Sequence, residues 1–130
     1  MADLKGGGKA EERGGGLRRG LSRWASHSRE EARELRRTAE QAGLMTIADA
    51  PDREHVTVQG TLKTVTLRPR GGVPALEAEL YDGSGTILLI WLGRRRIAGI
   101  SPGRQIRVEG RIGVHNDSRL IYNPRYELRS

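Results

Sequence analysis

The stretch ALEAELYDGSGTILLIWL, residues 75–92, decides the fold of this 130-residue chain. Between Ala75 and Tyr81, alanine and leucine alternate with glutamate and tyrosine, which is the pattern of a strand with one buried face. The sequence DGSG, residues 82–85, predicts a tight turn, and Thr86 to Leu92 continues as a second strand. These residues therefore predict a β-hairpin.

Further strands flank this hairpin on both sides. The predicted strands are His55–Leu67, Ala75–Tyr81, Thr86–Leu92, Gln105–Val114 and Leu120–Leu128. Residues 68–74 and 115–118 have the composition of a loop and a turn, and residues 94–100 have that of a short helix. Gly60 and Gly110 are candidate bends, and Pro124 confines the last strand to an edge or a bulge. The pattern predicts an all-β fold, a closed five-stranded barrel with a short helix between strands three and four.

The first fifty residues differ in character from the rest. The N-terminus contains two glycine triplets and few large apolar side chains, which is typical of disorder. Ser22 to Ala42 contains no glycine or proline and favours a helix, with Gly43 as a natural stop and an apolar stripe so thin that we expect a solvated helix. The predicted divisions are a disordered tail at 1–20, a helix at 21–43, a linker at 44–54 and the barrel domain at 55–130.

Composition restricts the function before any motif is considered. The chain has 23 Lys and Arg residues against 16 Asp and Glu residues, and the formal net charge of +7 favours an anionic partner such as nucleic acid. It has no cysteine, so disulfides, thiolate zinc sites and thiol catalysis are excluded. The three histidines lack the paired spacing of a metal site, and no catalytic motif is recognisable. We therefore expect a non-enzymatic protein without a metal or cofactor.

Several motifs along the predicted barrel domain point to a known family. They are V-x-V-x-G at 56–60, LYDGSG at 80–85, a tryptophan at 91, PGRQIRVEG at 102–110 and YNPRY at 122–126. With these motifs the domain resembles the oligonucleotide-binding (OB) fold of the anticodon-binding and RecG-wedge type, and it is similar to small actinobacterial OB-fold proteins. The resemblance implies a ligand across strands two and three, between the loop joining strands one and two and the loop joining strands four and five.

The resemblance also implies which side chains would contact nucleic acid. The two loops contribute arginines and a histidine, and one tyrosine on strand two is placed to stack on a base. Apart from the resemblance, RRR at residues 94–96 is the densest basic cluster, and it is either a phosphate contact or a solvated surface run. The nucleic-acid-binding candidates are Arg68, Arg70, Tyr81, Arg94, Arg95, Arg96, His115 and Arg119. Glu77 and Glu79 would share the outer face of strand two with that tyrosine and would repel a phosphate chain.

Two functions follow from these patterns. The first is a cytoplasmic module that binds nucleic acid, single-stranded DNA or RNA rather than duplex, through its phosphates and with low sequence specificity. The second is a protein-interaction or scaffold module, or a homodimer, that uses the N-terminal helix and the outer apolar face of strand three, where Leu88 and Ile90 would form the interface. No apolar run approaches the length of a membrane span, so no membrane contact is expected.

Overall fold

A computed structural model describes residues 15–41 and 43–129 of the chain. They form one helix and seven strands: α1 (Gly15–Gln41), β1 (His55–Leu67), β2 (Ala75–Tyr81), β3 (Thr86–Leu92), β4 (Gln105–Arg111), β5 (Gly113–His115), β6 (Ser118–Tyr122) and β7 (Arg125–Arg129). The chain divides into two units, residues 1–31 and residues 32–130, and the boundary lies within α1. Among the described residues, no helix is both long and apolar enough to span a bilayer.

Helix α1 begins earlier than the sequence predicts. It starts at Gly15 rather than at Ser22. Residues 15–20, which were expected in the disordered tail, are therefore helical, and residues 1–14 lie outside the described residues. An interior glycine costs only about 1 kcal/mol relative to alanine, and the leucine and arginines nearby favour a helix. Beyond the other end, Gly43 has a φ of 72°, the left-handed conformation expected of a residue that stops a helix.

The strands form one sheet in the order β5-β6-β3-β2-β1-β4-β7. Neighbouring strands are antiparallel except β3 and β6, which run parallel. The predicted hairpin is present, because β2 and β3 pair along their whole length, from Ala75 opposite Leu92 to Tyr81 opposite Thr86. This hairpin therefore lies near the centre of the sheet.

The last two predicted strands are each divided in two. A break at Ile112 separates β4 from β5, and a break at residues 123–124 separates β6 from β7. The second break contains Pro124, which cannot donate a backbone hydrogen bond, and Asn123, whose φ of 50° is left-handed. The sheet thus has seven strands, of which β4 and β5 fall within the fourth predicted strand or at its edges, and β6 and β7 within the fifth or at its edges.

The bend predicted at Gly60 lies elsewhere in β1, and the glycine has a different role. The irregularity in β1 falls between Leu62 and Thr64, whereas Gly60 pairs regularly with Ile106. Gly60 instead lies against the backbone carbonyl of Tyr81, where a Cβ atom would collide. Glycine is therefore required by the close approach of two backbones and not by a bulge.

The short helix predicted at residues 94–100 is wrong, because these residues form a loop. Gly93 and Gly99 adopt left-handed conformations, with φ of 76° and 85°, that an α-helix does not contain. Three positive charges at the start of a helix would also oppose its dipole. The loop nevertheless buries Ile97 and Ile100 in the hydrophobic core.

Residues 44–54, predicted to be a linker, pack into the folded unit instead. Ile47 and Ala50 are buried in the hydrophobic core together with the inner side chains of β2 and β3. The backbone N–H of Ile47 donates a hydrogen bond of 2.8 Å to the buried carboxylate of Asp82 in the β2–β3 turn. The segment around Ile47 is therefore anchored on the sheet.

The end of α1 that belongs to the second unit contacts the same turn. Nη2 of Arg36 donates a hydrogen bond of 2.8 Å to the carbonyl oxygen of Gly83. Gly83, with a φ of 89°, lies so close to the backbone of Ala32 that a Cβ atom would collide. This end of the helix is therefore docked on the turn rather than surrounded by solvent.

Candidate nucleic-acid interface

The outer face of β1, β2, β3 and β6 carries two rows of side chains paired in register. One row consists of Thr66, Glu77, Ile90 and Tyr122, and the next consists of Thr64, Glu79, Leu88 and Leu120. The alternate side chains of β3, Ile87, Leu89 and Trp91, lie in the core. The alternation expected for β2 and β3 thus places the glutamates and Leu88 outside.

Arg70 spans the first of these rows. Its Nε donates a hydrogen bond of 2.6 Å to the Glu77 carboxylate, and its Nη1 donates one of 3.3 Å to the Tyr122 hydroxyl. Glu77 and Tyr122 lie on either side of Ile90 in the row, so Arg70 bridges them across Ile90. The hydrogen bond with Glu77 is the largest cause that raises the pKa of Arg70 above its ordinary value. Arg70 is therefore held by the protein itself.

A groove of about 370 Å³ opens on the same face, and it is lined by Thr64, Thr66, Arg68, Glu77, Glu79 and Leu88. The Arg68 side chain is mostly exposed, and its Nε lies 4.0 Å from a Glu77 oxygen. Thr64 donates a hydrogen bond of 2.9 Å from its hydroxyl to Glu79. The formal charges of Arg68, Arg70, Glu77 and Glu79 cancel, so these four residues together do not attract a phosphate chain.

Three consecutive arginines lie at the end of this face, in the loop after β3. Arg94, Arg95 and Arg96 are exposed, and within the described residues they make no hydrogen bond or ion pair. The N–H of Gly93 donates a hydrogen bond of 2.7 Å to the carbonyl oxygen of Pro74, which brings this loop beside the loop that carries Arg68. Arg68 and residues 94–96, called the loop arginines below, thus cluster at one end of β3.

Two other candidates lie at the opposite end of β3. Tyr81 is half-buried and pairs with Thr86, and Nζ of Lys63 lies 5.1 Å from the centroid of its ring. His115 is exposed before the turn that joins β5 to β6. Because β6 runs parallel to β3, this turn lies at the Thr86 end. Tyr81 and His115 are therefore separated from the loop arginines by the length of β3.

Arg119 is a structural residue, contrary to the prediction that it contacts nucleic acid. Its Nε donates a hydrogen bond of 2.8 Å to the Asp52 carboxylate, its Nη1 donates one of 2.7 Å to the carbonyl of Ile47, and its Nη2 donates one to the carbonyl of Ala50. All three acceptors belong to the segment that was predicted to be a linker. The guanidinium is therefore occupied in fixing this segment to β6.

The apolar face proposed as a protein interface is largely covered. Ile90 has no exposed surface, and it packs with Ala75, Leu120 and the half-buried Leu88 in a small cluster on the outer side of the sheet. Arg70 bridges the residues on either side of it. Ile90 therefore cannot present a side chain to a partner, whereas the half-buried Leu88 keeps some exposed surface.

Tyr122 is a candidate that the sequence reasoning missed. The residue is 46% exposed, and its ring lies on the outer face beside Arg70. Alternation along SRLIY, residues 118–122, places it on the same side as Leu120, so the strand pattern contained this information. That β6 lies next to β3 comes only from the parallel pairing, which joins residues thirty-two apart in sequence, as in Leu88 and Leu120.

A hydrogen bond between side chains links β1 to β4 on another part of the sheet. Nε2 of His55 lies 2.9 Å from a carboxylate oxygen of Glu109. The hydrogen bond with His55 and the charges of His55 and Arg125 lower the pKa of Glu109 below its ordinary value of 4.5. Because the folded-state pKa is the lower one, the pair stabilises the fold above the unfolded-state pKa, and this stabilisation is lost as pH falls through the lowered pKa.

His55→Ala is expected to raise the pKa of Glu109 toward its ordinary value, because the substitution removes the largest cause of the lowering. A carboxyl ¹³C NMR titration of Glu109 measures this change. Arg125→Ala serves as the comparison and should shift the pKa in the same direction by less, since only a charge at 4.0 Å is lost. An unchanged Glu109 pKa in His55→Ala would show that the histidine does not bind the carboxylate in solution.

Three solved structures are similar to this chain. The structure of RecG bound to a three-way DNA junction aligns with a TM-score of 0.58 and 21% identity over 67% of this chain and 13% of that one. An OB domain from Thermoplasma acidophilum aligns with a TM-score of 0.54 and 16% identity over 67% of this chain and 87% of that one. The second OB-fold domain of replication protein A from Methanococcus maripaludis aligns with a TM-score of 0.52 and 13% identity, over 66% and 96%.

No protein-family model matches the sequence, and no curated protein matches it. The sheet and these similarities nevertheless define the class: the chain has an OB fold. Within that class it is similar to an OB-fold part of RecG, which agrees with the resemblance inferred from the motifs at 56–60 and 80–85. The chain spans about an eighth of the RecG chain, so this similarity concerns one domain.

Proposed function

We propose that this OB-fold chain binds nucleic acid, and the observation that carries the proposal is the cluster of loop arginines. Arg68 and residues 94–96 lie at one end of the outer face, and the latter three make no hydrogen bond or ion pair within the described residues. Guanidinium groups without a protein partner are available for phosphates. The RecG structure, which contains a DNA junction, supports the same ligand class.

The proposed ligand is single-stranded DNA or RNA, bound with low sequence specificity by a module that catalyses no reaction. Phosphate contacts position a nucleic acid but carry no sequence information. The arginines that contact phosphate are residues 94–96, with the mostly exposed Arg68 beside them, whose contact with Glu77 is long at 4.0 Å. Arg70 and Arg119 are excluded because both donate short hydrogen bonds within the protein. The phosphates of the nucleic acid would therefore lie at the loop arginines.

We also propose that the seven strands are five bent strands of a closed barrel. One residue separates β4 from β5, and two residues separate β6 from β7. In the sheet order, β5 and β6 form one end while β4 and β7 form the other. The chain passing through both breaks joins the two ends of the sheet, which supports closure.

A titration tests the function directly. Labelled single-stranded DNA, single-stranded RNA and duplex DNA are each titrated with the protein at several salt concentrations, and binding is followed by fluorescence anisotropy. Phosphate binding predicts an affinity that falls steeply with salt, with a slope of about −0.7 per contacted phosphate on a single strand. If none of the three ligands binds at low salt, the proposal fails.

Replacing Arg94, Arg95 and Arg96 together with alanine should weaken binding and make the salt slope shallower by about 2, which corresponds to three phosphate contacts on a single strand. The matched control replaces the exposed Arg33, Arg37 and Arg125 with alanine, which removes the same formal charge elsewhere. A control variant with an equal loss of slope would mean that net charge, and not the loop, determines the affinity. Circular dichroism checks that both variants are folded.

A further inference from the structure

An exposed aromatic ring lies between the loop arginines and the centre of the outer face. Tyr122 is the last residue of β6, and the residue is 46% exposed. The neighbouring Asn123 accepts a hydrogen bond of 3.0 Å from the N–H of Leu92 at the end of β3, immediately before the loop that carries residues 94–96. A nucleotide whose phosphate contacts the loop arginines would therefore have its base close to Tyr122.

Arg70 fixes the orientation of the Tyr122 ring. Arg70 donates to the Tyr122 hydroxyl at 3.3 Å, and its guanidinium carbon lies 6.0 Å from the ring centroid. Arg70 is in turn held by the Glu77 carboxylate at 2.6 Å, and the Glu77 side chain is only 8% exposed. A buried carboxylate that fixes an arginine, which then fixes a tyrosine, orders the ring before a ligand arrives, so less conformational entropy is lost on binding.

The surroundings of Tyr122 suit a base better than a phosphate. The cation beside Tyr122 is Arg70, which is already paired with Glu77. The exposed apolar side chain of Leu92 lies at the same end of the face. An aromatic ring with a flat accessible side and apolar surface nearby stacks on a nucleobase of any sequence. Tyr81 differs from it in being half-buried and in lying at the opposite end of β3, beside Thr86.

We propose that Tyr122 is the residue that stacks on a nucleobase, and that the Arg70–Glu77 ion pair is the positioning element that orients its ring. The proposal rests on the proposed function, since it names the base-contacting residue of the same site. It assigns Arg70 a different role from the loop arginines: Arg70 positions the tyrosine and does not bind phosphate. The ligand must accordingly offer an unpaired base.

The test compares two ligands that differ only in their bases. One is a short oligodeoxycytidine, and the other is an oligonucleotide of the same length in which all bases are replaced by abasic tetrahydrofuran sites. Tyr122→Leu should weaken binding of the first by about tenfold, a stacking loss within the range measured for other single-strand binders. It should leave binding of the abasic strand unchanged. Tyr122→Phe, which retains the ring, should lose much less.

Tyr81→Leu is the matched control and should not change the ratio of the two affinities. An equal affinity change for both ligands in Tyr122→Leu, or no change for either, would overturn the stacking assignment. Failure of the proposed function gives a different result, because then the wild-type protein binds neither strand. If the wild-type protein binds the abasic strand as tightly as the base-containing strand, the proposal of phosphate binding stands and the stacking assignment is overturned.

The role of Arg70 has its own readout. Arg70→Met removes the charge but retains a long apolar side chain, and it should lower the preference for the base-containing strand while the salt slope stays the same. If Arg70 contacted phosphate, the slope would become shallower by about 0.7. A shallower slope with an unchanged preference for bases would overturn the positioning role.

Discussion

Asp82→Ala is expected to lower the free energy of unfolding by about 3 to 5 kcal/mol, the largest stability effect that we predict for a polar side chain in this protein. The side chain is fully buried. Its Oδ1 accepts hydrogen bonds from the N–H of Ser84 at 2.9 Å, the hydroxyl of Ser84 at 2.6 Å and the N–H of Gly85 at 3.2 Å. Its Oδ2 accepts one from the N–H of Ile47 at 2.8 Å.

The cost is large because alanine leaves several donors without an acceptor. The donors in the β2–β3 turn can rearrange with the turn, but the Ile47 N–H is buried against the core and loses its partner. Urea denaturation followed by circular dichroism measures the change. Asp82→Asn keeps one oxygen that accepts hydrogen bonds, but its NH₂ group would face the N–H and O–H donors that the second oxygen now serves. An intermediate loss of unfolding free energy is therefore expected.

Asp49→Ala is the control for this prediction, because Asp49 is an exposed carboxylate in the segment of residues 44–54 that Asp82 anchors. It should change the free energy of unfolding by less than about 0.5 kcal/mol. A loss below about 1 kcal/mol for Asp82→Ala would mean that the anchor between residue 47 and the turn contributes little, and that the segment is held by its apolar side chains alone.

Arg119→Met is expected to lower the free energy of unfolding by about 2 to 3 kcal/mol and to leave nucleic-acid binding unchanged. The substitution keeps an apolar side chain but removes the hydrogen bonds to Asp52 and to the carbonyls of Ile47 and Ala50. Thermal and urea denaturation measure the stability. The salt dependence of binding measures whether a phosphate contact has been lost.

Arg119→Lys separates geometry from charge. A lysine ammonium cannot reproduce the planar fork that serves three acceptors, so only part of the stability should return although the charge is retained. Arg125→Met is the control, since that side chain is almost fully exposed and should change stability little. A stable Arg119→Met protein with a shallower salt slope would return Arg119 to the nucleic-acid interface.

The two anchors act on one segment, so their effects should not add. Asp82 holds the N–H of Ile47, and Arg119 holds its carbonyl. Once one anchor is lost, the segment is freer and the second anchor stabilises it less. The double variant should therefore lose less stability than the sum of the two single variants.

Local patterns in the sequence were sufficient for the centre of the sheet. Alternation with a period of two places Glu77 outside and Leu89 inside, because successive side chains of a strand point to opposite faces. The turn after Tyr81 could be predicted because Asp82 and Gly83 are residues that tight turns require. Both features depend on near neighbours in the chain.

Predictions that depended on distant partners were less successful. Residues 94–100 have helical composition, but Gly99 and the preceding Gly93 adopt turn conformations that bring Ile97 and Ile100 into the core. Residues 44–54 have the composition of a linker, but their anchors are Asp82 and Arg119, which lie far along the chain. No local pattern records such contacts.

The same distinction applies to the candidate interface. The sequence by itself determined a basic, mostly β domain with arginines in its loops, because strand periodicity, turn residues and net charge are local or additive properties, and its motifs added the resemblance to the OB fold. Only the tertiary structure decided which arginines are available to a ligand. Arg119 is neutralised by Asp52 and Arg70 by Glu77, whereas residues 94–96 have no such partner within the described residues. The availability of a charge depends on the side chains and carbonyls that folding brings within hydrogen-bonding distance, and spacing along the chain does not specify them.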